Sequence, residues 1–289
     1  MPTSTGKKRK DHTSHVDNVT FTLTFGDQAE NHVGMQKIGE GLAAEGFGVQ
    51  QLAALRDKLE DQGTLCELVD LKQTLQDSCP QTLREAAPAE LEASVLIIRQ
   101  GIKKVFGVEH DDFFNEQSSL QHDKKAFMYG RVVNKHARHN LCFSDTAQEP
   151  NYSAGKGRVI ALGDVPCLKR IRDGLPDLLG PAASELSVEG NYYYDTSRCG
   201  IGFHGDSERK KVVGVRLGSV MPLHWQWFHQ GAPVGKRVVR NLEGGDVYIV
   251  SEKATGWDWK RKLVPTLRHA AGCEKFTQLK AKSIPAAGR

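Results

Sequence analysis

The segment Ile201-Gly-Phe-His204-Gly-Asp206 decides which fold and chemistry we expect of this chain. Side chains two residues apart on a β-strand lie on the same face, so a strand here places the His204 imidazole beside the Asp206 carboxylate. A third candidate, His269, lies far downstream in the segment 266–272. Two histidines and one carboxylate bind Fe(II) on one side and leave the opposite coordination positions open. We therefore predict that His204, Asp206 and His269 form a catalytic metal centre.

The sequence around this motif strengthens the prediction, because a His-x-Asp pair alone is common on surfaces and in turns. The apolar segment Val212-Val-Gly-Val-Arg-Leu-Gly218 predicts a buried strand, and Gly244-Gly-Asp-Val-Tyr-Ile-Val250 predicts a turn followed by a strand. Strands in this interval can return the chain from Asp206 to the same site at His269.

The wider motif resembles a known enzyme family. It runs from Asn191-x-Tyr193 through Ile-Gly-x-His-x-Asp-x-Glu at 201–208 and Gly-Asp-Val at 245–247 to His269. This order is similar to that of the AlkB-type branch of the Fe(II)/2-oxoglutarate-dependent dioxygenases. The upstream segments that follow the order of the family's nucleic-acid demethylases are Tyr129-Gly-Arg-Val-Val133, Arg138, Ser144-Asp145, Tyr152 and Leu168-Lys-Arg-Ile-Arg-Asp173. The resemblance extends over residues 125–282.

The resemblance implies an α+β protein whose catalytic domain is a double-stranded β-helix, or jelly roll, with the metal at its open end. It implies Fe(II) and 2-oxoglutarate as cofactors and the oxidation, by demethylation, of a modified base in nucleic acid, with release of succinate and CO2. Asn191 and Tyr193 match the residues that bind the cosubstrate. The residues expected to bind the substrate are Tyr129, Arg131, Arg138 and Glu208.

One part of the family pattern is missing. AlkB-type enzymes bind the distal carboxylate of the cosubstrate with a pair of arginines on the last strand, and no Arg-x5-Arg follows His269. Lys280 stands eleven residues after His269, which is similar to the lysine of prolyl-hydroxylase-type relatives. We predict that Lys280 binds this carboxylate, with Lys282 as the second candidate. Ordinary solvated lysines on a closing strand are the alternative interpretation.

The chain divides into four predicted parts. Residues 1–18 form a disordered basic tail, in which we interpret 7–10 as a nuclear import signal or a phosphate contact, with an ordinary solvated basic run as the alternative. Residues 19–110 form a small α+β module, 111–124 a linker rich in Asp, Glu, Gln and Ser, and 125–289 the dioxygenase domain. No run of 18 apolar residues predicts a membrane span. We expect a protein of the nucleus or cytoplasm, and its six cysteines to be reduced, since none forms a Cys-x2-Cys pair.

Nucleic acid is the partner that we expect from the basic clusters. The net charge is only +4, but Arg131, Lys135, His136, Arg138 and His139 lie close together, and further clusters occur at 169–172 and 209–211. Solvated surface charge is the alternative for each cluster. Two other functions stay open: a protein hydroxylase or demethylase of the same mechanism, and a non-catalytic β-barrel binding module. The intact metal-binding motif argues against the binding module, and oligomeric state is not predicted.

Overall fold

The computed structural model of the protein describes residues 18–76 and 91–279. The predictions for the basic tail at 1–17 and for Lys280 and Lys282 lie outside the described residues. Within them the protein is of the mixed α+β class and consists mainly of strands in large sheets. No helix of the described part is long and apolar enough to cross a membrane.

The regular elements are as follows in chain order. The strands are β1 (Thr20–Gly26), β2 (Ala29–Glu30), β3 (Lys37–Ile38), β4 (Cys66–Asp70), β5 (Ser94–Ile98), β6 (Lys125–Met128), β7 (Arg131–Asn134), β8 (His139–Ser144), β9 (Val159–Ala161), β10 (Ser187–Tyr193), β11 (Gly200–His204), β12 (Val212–Gly218), β13 (Met221–His229), β14 (Ala232–Leu242), β15 (Val247–Val250) and β16 (Thr266–Gly272). The helices are α1 (Val49–Asp61), α2 (Leu71–Gln76), α3 (Gly101–Lys104), α4 (His110–Ser118), α5 (Pro166–Leu179), α6 (Glu252–Thr255) and α7 (Glu274–Thr277).

Two sheets carry most of the structure. The larger sheet has eight strands in the order β4-β5-β15-β12-β1-β10-β8-β9, and the smaller has four in the order β11-β16-β13-β14. Neighbouring strands are antiparallel, apart from the parallel pair β8 and β9. Side chains of both sheets, such as Tyr248 and Trp225, share one buried cluster. The sheets therefore pack against each other across a common core.

Strand β1 shows how the sequence builds the larger sheet. Its alternating Thr and apolar residues place Phe21, Leu23 and Phe25 on one face, where they pack with helices α1 and α5. Helix α5 begins with Pro166, and its Leu and Ile residues recur on one buried face, as expected for an amphipathic helix. The threonines of β1 lie on the opposite face, toward the smaller sheet. Both faces of the strand are thus covered.

The N-terminal strands complete the larger sheet. Strand β1 pairs with both β10 and β12, and β5 pairs with β15. The part 19–110, expected as a module, therefore contributes strands to the same sheet as 125–289 and does not build a large sheet of its own. Residues 111–124, expected as a linker, include most of helix α4, whose Phe113 is fully buried. Because the segment is polar on average, its composition did not indicate the buried face of this helix.

Candidate metal centre and cavity

Two neighbouring strands of the smaller sheet bring the three predicted metal ligands together. His204 on β11 is paired directly with His269 on β16, and their ring centroids are 4.4 Å apart. Asp206 follows the end of β11. Its Oδ1 lies 3.6 Å from Nε2 of His204 and 3.5 Å from Nε2 of His269. One ligand atom from each residue lies within 4.8 Å of the others, a spacing that can hold a metal ion.

Hydrogen bonding orients His204 for this role. Its Nδ1 lies 2.8 Å from the carbonyl oxygen of Gly202, and only a protonated Nδ1 can donate to that oxygen. Nε2 is then left with a lone pair that faces Asp206 and His269. Burial and the neighbouring His269 lower the pKa of His204 to about 3, so the ring is neutral near pH 7.

Arg209 determines which oxygen of Asp206 faces the histidines. Its Nη1 donates to Oδ2 of Asp206 at 3.3 Å, its Nη2 pairs with the Glu189 carboxylate, and its Nε donates to the Gln28 carbonyl oxygen at 2.7 Å. Burial opposes the ionisation of Asp206, but its interactions with His269 and Arg209 outweigh this effect and hold its pKa well below its usual range. Oδ1 is left for a metal. Two imidazole nitrogens and one carboxylate oxygen form a donor set that suits Fe(II).

A cavity of about 370 Å³ adjoins the three ligands and is lined by residues of both sheets. Its wall on the larger sheet carries a row of polar side chains in direct register: Asn191 on β10, Thr22 on β1 and Arg216 on β12. Leu223 and Trp225 of β13 form part of the apolar wall. The cavity thus extends from the candidate metal centre to the polar wall on the larger sheet.

The structure places the predicted cosubstrate residues in this cavity. Asn191 and the buried Tyr193 both line it. Oδ1 of Asn191 accepts hydrogen bonds from Nδ2 of Asn140 at 2.5 Å and from Nε of Arg138 at 2.6 Å, while its Nδ2 donates to Glu189. The amide orientation of Asn191 is therefore held by its neighbours on three sides.

The predicted substrate residues separate into two groups. Arg138 and Glu208 line the cavity, where burial raises the pKa of Glu208 to about 7. Tyr129 lies in the turn between β6 and β7 and is 89% exposed, and Arg131 is the first residue of β7; neither residue lines the cavity. Of the predicted basic cluster, Lys135 donates to Asn31 at 2.6 Å. The cluster is therefore not a continuous exposed surface.

Several residues that line the cavity were not predicted as site residues from the sequence. Arg216 is fully buried, and the signal was a single charged residue inside the apolar segment 212–218. A charge in a buried strand requires a partner, which marks it as a candidate site residue. Thr22 had a weaker signal in its alternating strand, but nothing local indicated that this strand lies beside β12. Trp259 and Lys260, at the cavity, had no motif to identify them.

No family model matches the chain. A full-length relative exists in Acanthamoeba polyphaga mimivirus, named uncharacterized protein R156, which is 46% identical over 259 residues. The match covers 90% of this chain and 98% of the viral protein. The chain belongs to the family of this mimivirus protein. A match of this length cannot lie within 125–289 alone, so the family likeness extends into the N-terminal part, in agreement with the shared sheet.

Proposed function

We propose that the protein is an Fe(II)/2-oxoglutarate-dependent dioxygenase of the AlkB type that oxidises a modified base in nucleic acid. The observation that carries the proposal is the group His204, Asp206 and His269, whose ligand atoms lie within 4.8 Å and whose orientation is held by Gly202 and Arg209. We also propose that the two packed sheets form a double-stranded β-helix. The largely antiparallel pairing and the cavity between the sheets support this interpretation.

Iron with 2-oxoglutarate and O2 supplies the oxidation of a substrate C–H bond to C–OH, with succinate and CO2 as the other products. In this chain His204, Asp206 and His269 would hold the metal, and Arg209 positions Asp206. The apolar side chains Leu223 and Trp225 line the cavity, where they would keep water away from the reacting atoms. An N-methyl group hydroxylated in this way would leave as formaldehyde.

The edge of the cavity supports nucleic acid as the substrate class. Lys260, Arg261 and Lys262 are consecutive and exposed, and they form no ion pair with any residue in the described ranges. Lys260 also lines the cavity, so these positive charges begin at its mouth. Exposed cations next to an opening can follow the phosphates of a single strand.

Aromatic rings accompany these cations. Trp259 lines the cavity and donates from Nε1 to Oγ of Ser207 at 2.9 Å. The guanidinium of Arg268 lies 5.1 Å from the Trp259 ring and 4.1 Å from the Phe228 ring. Combined cationic and aromatic groups are typical of surfaces that bind single-stranded nucleic acid, because bases stack and phosphates pair with charge.

The metal centre is tested by comparing Asp206→Ala with Asp246→Ala. Both aspartates are buried and paired with an arginine, but only Asp206 lies at the cavity. We expect the parent and Asp246→Ala to bind one Fe(II) under anaerobic conditions and to form succinate, and Asp206→Ala to lose both properties. Succinate formation by Asp206→Ala at the parent rate would show that the ligand assignment is wrong.

The substrate class is tested by binding of single-stranded oligonucleotides at increasing salt. Replacing Lys260, Arg261 and Lys262 together by Ala should lower the log-log salt slope by about 2, at about 0.7 per lost phosphate contact. The control variant replaces Lys58, Lys103 and Lys104, which are exposed on helices α1 and α3, by Ala and should leave the slope unchanged. If methylated peptides and not methylated oligonucleotides stimulate succinate formation, the protein is a protein hydroxylase or demethylase.

A further inference from the structure

We infer that Arg216 binds the distal carboxylate of the cosubstrate, in the role that the sequence suggested for Lys280 or Lys282. The inference rests on the proposed function, because it concerns the same cavity. The residue that we assign to this role is thus an arginine in the middle of the larger sheet, instead of a lysine that lies outside the described residues.

The first reason is that Arg216 is a buried cation without a counter-ion. Its side chain is 0% exposed, its Nη1 donates to Oγ1 of Thr22 at 2.8 Å, and its Nε has no hydrogen-bond partner. In the described part of the chain, Arg216 forms no ion pair. A guanidinium stays charged and offers five N–H donors, so this environment is incomplete without an acceptor.

Nearby acidic groups do not fill this gap. Asp246 adjoins Arg216 through the backbone, where the amide of Arg216 donates to the Asp246 carbonyl oxygen at 2.9 Å. Its carboxylate is bound instead by Arg99 at 2.6 Å and by the backbone amides of Gln100 and Glu243. The unpaired N–H donors of Arg216 therefore require an anion other than the Asp246 carboxylate.

The second reason is the position of Arg216 relative to the metal centre. Thr22 is paired with Asn191 on one side and with Arg216 on the other, so two strand spacings, roughly 10 Å, separate the last two residues. Arg209 binds both Asp206 and Glu189, and Glu189 lies on β10 two residues before Asn191, so the metal centre adjoins the Asn191 end of this row. A dicarboxylate bound to the metal by one end would extend its other end along this row toward Arg216.

The third reason is the character of the surrounding groups. Tyr193 and Tyr248 line the same cavity, and burial raises the pKa of Tyr248 to about 12, so its hydroxyl stays protonated. Gly214, two residues before Arg216 on β12, leaves room for the Tyr248 ring, since a Cβ there would lie 1.9 Å from its Cζ. Protonated hydroxyls near a guanidinium suit a carboxylate, which accepts hydrogen bonds from both.

The experiment compares two ligands by calorimetry with Mn(II) in place of iron, which allows no turnover. 2-Oxoglutarate has the distal carboxylate and 2-oxobutyrate lacks it. We expect the parent to prefer 2-oxoglutarate by about 30-fold or more, as for a buried charge pair, and Arg216→Met to lose the preference. Thr22→Val should also reduce the preference for 2-oxoglutarate, by a smaller factor. This variant gives a second test if Arg216→Met folds poorly.

Two further variants distinguish the alternatives. Lys280→Ala with Lys282→Ala should keep the preference, and Arg99→Met, which removes a half-buried arginine outside the cavity, should keep it as well. A preference retained by Arg216→Met and Thr22→Val but lost in the double lysine variant would overturn the inference while the proposed function stands. If the parent binds Mn(II) but neither ligand, the proposed function fails and the inference with it.

Discussion

Replacing Arg209 by Met should weaken the metal centre and the fold together. The Arg209 side chain is 5% exposed and lies within 3.3 Å of the Asp206 carboxylate and 3.6 Å of the Glu208 carboxylate, in addition to its pair with Glu189. Met has a similar reach but no charge, so three acidic groups would lose their shared cation. Breaking a buried ion pair in this way costs about 3–5 kcal/mol of unfolding free energy.

The effect on the metal follows from the geometry of Asp206. With Oδ2 released from Arg209, the carboxylate can rotate away from the histidines, and loss of such a supporting contact weakens metal binding about 10- to 100-fold. We would measure Mn(II) affinity by titration and stability by urea unfolding of the metal-free protein. Arg209→Lys, which keeps the charge but not the forked geometry, should fall between the parent and Arg209→Met.

Arg99→Met is the matched control for this prediction. Arg99 also pairs with a buried carboxylate, that of Asp246, but neither residue lines the cavity. This variant should be destabilised while its Mn(II) affinity stays at the parent value. If Arg209→Met binds Mn(II) as tightly as the parent, Arg209 does not position Asp206 and the reasoning is refuted.

Three further predictions concern packing, topology and pH. Gly214→Ala should lower the free energy of unfolding in urea by about 1–3 kcal/mol, because its Cβ would overlap the Tyr248 ring. Adding Tyr248→Leu to Gly214→Ala should recover part of this loss, and an equal loss in the single and the double variant would refute the overlap. Deleting residues 1–26, which removes β1 from between β10 and β12, should abolish cooperative unfolding, whereas an intact thermal transition would show that the strand is dispensable. Burial lowers the pKa of His122 from 6.5 to about 4, so its contribution to stability is complete above about pH 6.5 and is lost as the pH falls toward 4. In His122→Phe the slope of unfolding free energy against pH in this range should therefore decrease by up to about 1.4 kcal/mol per pH unit, and an unchanged slope would contradict the assignment.

Local patterns predicted which residues meet at the site better than they predicted the architecture. The spacing of His204 and Asp206 on a strand is a short-range property, and the structure brings His269 beside them as the motif indicated. The partners of β1 are set by register over long sequence separations, which no local period encodes. Arg216 was visible as a charge in an apolar segment, but its role depends on Thr22, which reaches it only through that pairing.

Residues 111–124, which we predicted to be a linker, include most of helix α4. Composition gives only the average polarity of a segment, so it did not indicate that Phe113 is buried on one face of this helix. Lys280 and Lys282 lie outside the described residues, so their predicted role is tested only by the ligand comparison above.

The central place of β1 has a consequence for biosynthesis. Thr22 is synthesised 194 residues before its hydrogen-bond partner Arg216. At about 5–20 residues per second, the first strand waits on the order of 10–40 s before its neighbour on β12 exists. During that interval Phe21, Leu23 and Phe25 have no completed sheet to cover them, and contacts of such sequence separation form slowly. We therefore expect the nascent chain to depend on chaperones that shield β1 until β12 has been synthesised.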